Sequence, residues 1–231
     1  MSHPLRVSLH VSGRSKPYSH MYFSMCAKAL VQYQKLSDAL PKFHDLDPHY
    51  RELSDAVEEA AVLPVVFAGM CLEATLFDLA ACLFGEAFAE SIERLDPLGK
   101  FVVLAQSVDR KSPSKSGATY QSLQALVTAR NRLVHYKSQS MIDEENLGKV
   151  IDRASKLHKQ LLSGIDSSFR ALVLLSIHFD GNIFEELRIL PSFKKPEYWE
   201  SLIPKELHAE VRRCIEVAAH ARKRPSSGPA S

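Results

Sequence analysis

The sequence predicts an all-α fold, and three observations lead to this prediction. Apolar residues recur every three or four positions over several long segments, which is the period of an amphipathic helix. Prolines mark segment ends: Pro41 follows the first segment, Pro48 precedes the second, and Pro204 begins the last. A chain of 231 residues with an apolar fraction of 45% can bury one sizeable core.

The N-terminal part predicts two helices after a segment of undecided structure. Residues 1–16 alternate weakly between apolar and polar and fit either an arm or a short strand. The first helix covers about residues 17–40. A second helical region begins near Pro48 and continues past Pro64, where we expect a kink or a restart. One face of this region is apolar and carries Leu63, Val66, Phe67, Met70, Ala74 and Phe77.

Three further helices are predicted in the middle of the chain. Residues 90–109 form one helix, or two if the chain breaks at the sequence PLG, residues 97–99. A polar and cationic loop follows over residues 110–117. Two amphipathic helices then cover about residues 118–137 and 142–162.

The C-terminal third is less clearly patterned. Residues 172–179 are uniformly apolar, so helix and strand are both open, and the turn DGN at 180–182 could close a small hairpin. A last helix covers about residues 204–222. The tail, 223–231, is basic and then rich in Ser, Gly and Pro, which predicts disorder. We expect residues 17–222 to form a single helical domain.

Composition and motifs exclude several classes of protein. The net charge of +2 does not by itself indicate a nucleic-acid partner. The apolar stretch at residues 60–84 contains Glu73 and Asp78, which predicts a core helix and no membrane partner. The N-terminus lacks a signal peptide, and the four cysteines form no CxxC pair, so we expect a cytoplasmic chain with buried free thiols. The sequence contains no HExxH, glycine-rich phosphate loop or GxSxG, so we expect neither a metal nor a cofactor.

The helix predicted over residues 118–137 carries a cation on its apolar side. Arg130 falls among the apolar residues of this helix, seven positions after Leu123. An unpaired buried charge costs several kcal/mol, so Arg130 must have a partner or line a cavity. Asn131 lies on the flank of the apolar side, and His135 is one turn further along that flank. Two interpretations are open: a structural ion pair between Arg130 and Glu73, or a polar site formed by Arg, Asn and His.

The segment RNRLVHY at residues 130–136 resembles the RX4–6H signature of HEPN domains (higher eukaryotes and prokaryotes nucleotide-binding), in its RNxxxH form. The order of elements is also similar to that family. An apolar helix contains MCLEA at residues 70–74, a second helix contains LGK at residues 98–100, and the motif helix follows. The resemblance covers about residues 50–165.

This resemblance implies a HEPN-like helical bundle, here with extra N- and C-terminal elements, that forms a homodimer with the site at the interface. It implies metal-independent cleavage of single-stranded RNA, with the ribose 2′-hydroxyl as nucleophile, in a toxin–antitoxin or antiviral-defence setting. An antitoxin protein would be a further partner of a toxin. Other members have lost catalysis and bind a protein or nucleotide partner, which is the alternative for this chain.

The predicted residue types suit this chemistry. Histidine has an unperturbed pKa of about 6.5, which suits general acid–base catalysis near neutral pH. A guanidinium presents a charged, planar fork to a phosphorane-like transition state. We therefore assign His135 to proton transfer, Arg130 to transition-state stabilisation, and Asn131 to positioning of the phosphate or imidazole. Supporting residues are Glu73 and Tyr136, and weaker candidates for RNA backbone contacts are Lys137, Arg110, Lys111 and Lys115. We expect Arg132, on the opposite side of the helix, to face solvent.

Overall fold

The computed structural model describes residues 18–40, 48–134, 147–180 and 189–223, and every regular element in these ranges is helical. The all-α prediction is therefore confirmed for the described part of the chain. In chain order the helices are α1 (Tyr18–Ala39), α2 (Pro48–Phe84), α3 (Glu86–Ser91), α4 (Pro97–Asp109), α5 (Ala118–Val134), α6 (Leu147–Phe179), α7 (Pro196–Trp199) and α8 (His208–Lys223), with a 3-10 turn at Lys205–Leu207 before α8.

Helix α2 runs for 37 residues through the centre of the fold and packs against α1, α4, α5 and α6. It continues through Pro64, so the predicted restart at this residue does not occur. Proline removes one backbone hydrogen bond from a helix interior. Here the residues on both sides of it, Ala61 and Val65, are buried in the core, and their packing holds the helix together.

The apolar face noted in the sequence of α2 is its less buried side. The core contains a different set of residues, which recur at helical spacing: Val65, Ala68, Leu72, Leu76 and Leu79. Leu63 and Met70 are 41% and 40% exposed, and the other residues of the predicted face are half-buried. Because α2 is apolar around most of its circumference, periodicity could not show which side would face the core.

The two-helix alternative is the observed one, since α3 and α4 are separate helices, but the break lies over residues 92–96 and the sequence PLG at 97–99 forms the first turn of α4. Gly85, with φ 91°, allows the chain to turn between α2 and α3. Asp96 caps α4, because its Oδ1 accepts a hydrogen bond from the backbone nitrogen of Gly99 at 2.6 Å, and Pro97 occupies the first turn.

Helix α6 extends to Phe179, well beyond the predicted end near residue 162. Residues 172–179 form its last two turns, so the strand alternative for them is wrong. The first part of this stretch shows no amphipathic pattern because all side chains from Ala171 to Leu175 are apolar and buried. The turn at Asp180 is present, but residues 181–188, on which the second strand of a hairpin would fall, lie outside the described residues.

Residues 189–193 attach to the helical core through buried hydroxyl groups. Ser19 donates to the carbonyl oxygen of Ile189 at 2.8 Å, and Ser176 donates to that of Pro191 at 2.6 Å. The buried carboxylate of Asp180 accepts hydrogen bonds from the hydroxyl of Ser192 at 2.9 Å and from the backbone nitrogen of Phe193 at 3.1 Å. The C-terminal segment therefore shares the core with α1 and α6.

Several sequence predictions fall outside the described residues. These are the arm or strand at residues 1–16, most of the tail at 223–231, and the site residues His135, Tyr136 and Lys137. Helix α8 ends at Lys223, close to its predicted end.

All four cysteines are free, as predicted. Cys26, Cys71 and Cys214 are buried, whereas Cys82 is half-buried. Burial raises the pKa of the Cys26 thiol to about 12, so this group stays protonated at neutral pH.

Two helical stretches are long and apolar enough, by length and composition, to cross a membrane: His49–Phe84 and Leu161–Phe179. In the apolar part of each stretch, 56% of the first and 61% of the second is buried inside the fold. Both stretches contribute their buried sides to the same core.

Candidate active site around Arg130

Helix α5, which carries the predicted motif, lies against α2, α4 and α6. Its buried residues follow helical spacing and are Ser122, Leu123, Leu126 and Ala129. Arg130 comes directly after the last of these and is half-buried, as the sequence pattern predicted for a cation on the apolar side.

Three helices meet immediately before Arg130. Ala129 packs on Gly164 of α6 so closely that a Cβ atom at Gly164 would overlap the Cβ of Ala129. The same Cβ would lie 3.8 Å from Cγ2 of Val65 on α2. The glycine therefore allows α5 to approach the α2–α6 pair at this point.

The side chain of Arg130 crosses α2 over a second glycine, Gly69. A Cβ atom at Gly69 would lie 2.9 Å from Cγ of Arg130, 3.6 Å from its Cβ and 3.8 Å from its Cδ. The aliphatic stem of Arg130 thus occupies the space that a side chain at position 69 would fill.

The guanidinium of Arg130 bonds to its sequence neighbour. Its Nη1 donates to Oδ1 of Asn131 at 3.0 Å. The predicted structural alternative, an ion pair with Glu73, is not formed, because Glu73 pairs with Lys100 instead. Among the side chains that the structure describes, those of residues 147–158 not included, no carboxylate pairs with Arg130. An amide oxygen orients a guanidinium but does not neutralise its charge.

Glu73 belongs to a buried ion-pair cluster centred on Lys100. The Nζ atom of Lys100 lies 3.0 Å from Oε2 of Glu73 and 3.1 Å from Oε2 of Glu93, and its side chain is only 3% exposed. Burial lowers the pKa of Lys100, but the hydrogen bonds that its ammonium group donates to Glu73 and Glu93 outweigh this effect and raise the pKa above its ordinary value. The cluster joins α2, α4 and the turn between α3 and α4, so Glu73 has a structural partner other than the one considered from the sequence.

The cationic loop does not lie next to Arg130. Arg110, Lys111 and Lys115 are all exposed in the connection that precedes α5. Arg130 is twelve residues along α5 from Ala118, which corresponds to about 18 Å at 1.5 Å per residue. These cations could contact a distant part of a long ligand, but they are not part of the Arg130 site.

Arg132 does not face solvent as the sequence predicted. The residue is half-buried, and its Nη1 is buried with no hydrogen-bond partner within the described ranges. Arg132 follows Ala129 by three residues, which places it near the side of α5 that packs on α6. The prediction was wrong because the apolar pattern of α5 does not show which of its polar positions neighbouring parts of the chain cover.

Sequence reasoning missed the two glycines and Glu93. An isolated glycine inside a helical pattern often indicates that another side chain or helix packs closely on the backbone there. Gly69 in α2 and Gly164 in α6 are both glycines of this kind. Nothing in the sequence indicates which residue approaches. Glu93 lies in a turn with no periodic pattern, so its pairing with Lys100 has no sequence signal.

A separate cavity of about 420 Å³ lies between α1, α6 and the start of α8. Neither Arg130 nor Asn131 lines it. Three of its charged groups pair with one another: Nε of Arg170 donates to Oε1 of Glu210 at 2.6 Å, and Nη1 of Arg213 lies 3.6 Å from Oε2 of Glu210. Within the described ranges, no group of three or more His, Cys, Asp or Glu side chains could hold a metal ion.

No known family model, curated protein or solved structure matches the chain.

Proposed function

We propose that this chain is a metal-independent endoribonuclease of the HEPN type that cleaves single-stranded RNA. The proposal rests on one observation: the stem of Arg130 is packed on α2, and its guanidinium bonds to Asn131 and to no carboxylate among the side chains that the structure describes. A guanidinium that is oriented but not neutralised is suited to stabilise the negative charge that develops on a phosphorane-like transition state. The RNxxxH spacing supplies a histidine five residues later.

The proposed reaction needs one base, one acid and one charge stabiliser. A base removes the proton of the ribose 2′-hydroxyl, the 2′-oxygen attacks the adjacent phosphorus, and the bond from phosphorus to the 5′-oxygen breaks. An acid protonates the leaving 5′-oxygen, so the products are a 2′,3′-cyclic phosphate and a 5′-hydroxyl. We assign proton transfer to His135 and charge stabilisation to Arg130.

Asn131 fits a positioning role in this reaction. Its Oδ1 accepts the hydrogen bond from Arg130, which fixes the orientation of the amide group. The amide nitrogen carries two further donors that can bond to a phosphate oxygen or to the imidazole.

A homodimer would complete the site. The less buried face of α2, which we call the α2 stripe, has two exposed residues, Leu63 and Met70, and four half-buried ones, Val66, Phe67, Ala74 and Phe77. Contiguous apolar residues on a surface are typical of protein interfaces. Met70 follows Gly69, so the stripe runs beside the contact between Gly69 and Arg130. A second copy docked on it would bring two Arg130 and two His135 residues together, and the two histidines could share the acid and base roles.

The α2 stripe also supports the alternative function, a catalytically silent HEPN module that binds a protein or nucleotide partner. The ribonuclease and the silent module would both use the α2 stripe as an interface, but only the ribonuclease needs His135. In the enzymatic case the setting we propose is the cytoplasm, with the chain acting as an antiviral effector or as a toxin restrained by an antitoxin protein.

Cleavage of single-stranded RNA by purified variants tests the proposal. We expect Arg130→Lys to lower kcat by about a hundredfold, because lysine keeps the charge but loses the planar fork. His135→Ala should abolish cleavage. The matched control is Arg94→Lys, which changes an exposed arginine in the turn after α3 and should cleave at the wild-type rate.

Circular dichroism must show that all variants retain the helical fold. Full cleavage by His135→Ala would refute its assigned role. A folded and dimeric wild type that cleaves no RNA would favour the silent module.

A further inference from the structure

Gly69 has no explanation in the local physics of its helix. It is a buried glycine in the interior of α2, fifteen residues before the last residue of that helix, Phe84. Glycine in a helix interior is less favourable than alanine by about 0.5–1 kcal/mol. Its φ is not positive, since Gly85 is the one glycine of the described residues that has a positive φ. A steric reason must therefore account for the glycine.

The steric reason is Arg130. Three consecutive carbon atoms of its stem, Cβ, Cγ and Cδ, lie within 3.8 Å of the point that a Cβ at Gly69 would occupy, and the shortest of these distances is 2.9 Å. Real Cβ atoms essentially never come so close to another carbon, so any side chain at position 69 would displace the stem. These atoms are the base of the arginine side chain, and they cannot move without the rest of it.

Helix α5 is tightly packed at this point. Ala129, the residue before Arg130, is in contact with Gly164 of α6 without space for one more carbon atom, and a Cβ at Gly164 would also lie 3.8 Å from Cγ2 of Val65 on α2. The two glycines therefore let consecutive residues of α5 pack closely on the α2–α6 pair. A close-packed backbone shifts less readily than a side chain rotates, so we expect a clash at position 69 to rotate the side-chain bonds of Arg130 and to move the guanidinium.

We infer that Gly69 is a positioning residue for the proposed active site: its missing side chain forms the groove on α2 that aims the Arg130 guanidinium. This inference rests on the proposed function. Gly69 itself touches no substrate and acts through Arg130 alone. Gly164 has a structural role, because it contacts Ala129 and determines how closely α5 and α6 pack.

A double-mutant cycle separates these roles. We would prepare Gly69→Ala, Gly164→Ala, Arg130→Ala and the two double variants that combine each glycine substitution with Arg130→Ala. Arg130→Ala removes Cγ and Cδ, the atoms that a methyl group at position 69 would meet. It does not change the contact between Gly164 and Ala129.

We expect Gly69→Ala to lower the urea midpoint of unfolding in the wild-type background. In the Arg130→Ala background the same substitution should raise the midpoint, because alanine then replaces glycine in a helix without a clash. Gly164→Ala should lower the midpoint equally in both backgrounds. If Gly69→Ala has the same effect whether or not Arg130 is present, the inferred contact is wrong.

Cleavage kinetics give the readout that a structural role would not change. In protein that is fully folded under the assay conditions, Gly69→Ala should lower kcat by about tenfold to a hundredfold with little change in KM. Added guanidinium ion, well below denaturing concentrations, should restore cleavage to Arg130→Ala. Guanidinium ion should restore cleavage to the same extent in the double variant Gly69→Ala, Arg130→Ala. The reason is that Gly69 affects catalysis only by positioning the Arg130 side chain, which this variant lacks.

Unchanged kcat in folded Gly69→Ala would overturn the positioning role. Failure of the double variant to respond to guanidinium, when Arg130→Ala responds, would also overturn it. If the wild type cleaves no RNA, the proposed function falls and the positioning role for catalysis falls with it. The unfolding cycle would still decide whether Gly69 and Arg130 are in contact.

Discussion

Lys100 offers a test of the buried electrostatics beside the candidate site. Its ammonium group is almost completely buried and contacts two carboxylates, those of Glu73 and Glu93. Lys100→Met keeps the length and the apolar stem of the side chain but removes the charge. The two carboxylates would then face each other without their shared cation.

The loss of unfolding free energy in Lys100→Met depends on the two hydrogen bonds that Lys100 makes and on how exposed Glu73 and Glu93 are. A hydrogen bond to a charged group contributes about 1.5–3 kcal/mol, and breaking a fully buried pair costs about 3–5 kcal/mol. The side chains of Glu73 and Glu93 are 33% and 56% exposed, so water solvates both carboxylates in the variant and compensates in part for the lost interaction with the ammonium group. Methionine also avoids the cost of burying an ammonium group. We therefore expect Lys100→Met to lower the free energy of unfolding by about 2 kcal/mol.

Urea unfolding followed by the fluorescence of Trp199, the single tryptophan, measures this difference. The matched control is Lys111→Met, an exposed lysine, which should change the free energy of unfolding by less than about 0.5 kcal/mol. Because the fold raises the pKa of Lys100, its contribution is complete at pH values below the ordinary lysine pKa of 10.5 and is lost as the pH rises through the folded value.

The difference between wild type and Lys100→Met should therefore be constant from neutral to mildly alkaline pH and should shrink above pH 10.5. Equal or higher stability of Lys100→Met at neutral pH would refute the reasoning. It would mean that the two carboxylates do not offset the burial of the ammonium group.

Two further predictions concern the α2 stripe and the C-terminal segment. Met70→Glu places a charge in the stripe and should convert a dimer to a monomer by sedimentation velocity, with loss of RNA cleavage; a variant that remains dimeric would locate the interface elsewhere. Ser192→Ala removes the hydroxyl that bonds to the buried carboxylate of Asp180 at 2.9 and 3.1 Å, and should lower the free energy of unfolding by about 1–3 kcal/mol. No change for Ser192→Ala, with Ser91→Ala as the exposed control, would contradict the inferred role of this bond.

The helices could be predicted from the sequence because each has a local signal. The sequence PLG at 97–99 indicated a boundary between two helices close to the start of α4, and the amphipathic pattern predicted α5. The length of α6 could not be predicted, because the buried run at residues 171–175 is apolar on every side and hides the helical period. The exposed side of α2 was hidden for the same reason, since only the positions of neighbouring helices decide which apolar face is covered.

The candidate site could be predicted only in part. The position of Arg130 on an apolar side was visible in the spacing of α5, and the structure places it there, half-buried. The hydrogen-bond partner of Arg130 could not be predicted. The position of Glu73 on the apolar helix α2 suited an ion pair with Arg130, yet Glu73 pairs with Lys100. The contacts of Gly69 and Gly164 join residues far apart in the chain, and no local pattern encodes which helices cross at a glycine.

The chemical nature of the cleavage products tests the proposed function most directly. Purified chain would be incubated with single-stranded RNA in excess chelator, and both new ends would be identified by mass spectrometry. The proposed mechanism predicts 2′,3′-cyclic phosphate and 5′-hydroxyl ends, formed by the wild type and absent with His135→Ala. Products with 3′-hydroxyl and 5′-phosphate ends, or activity that disappears with the chelator, would contradict it.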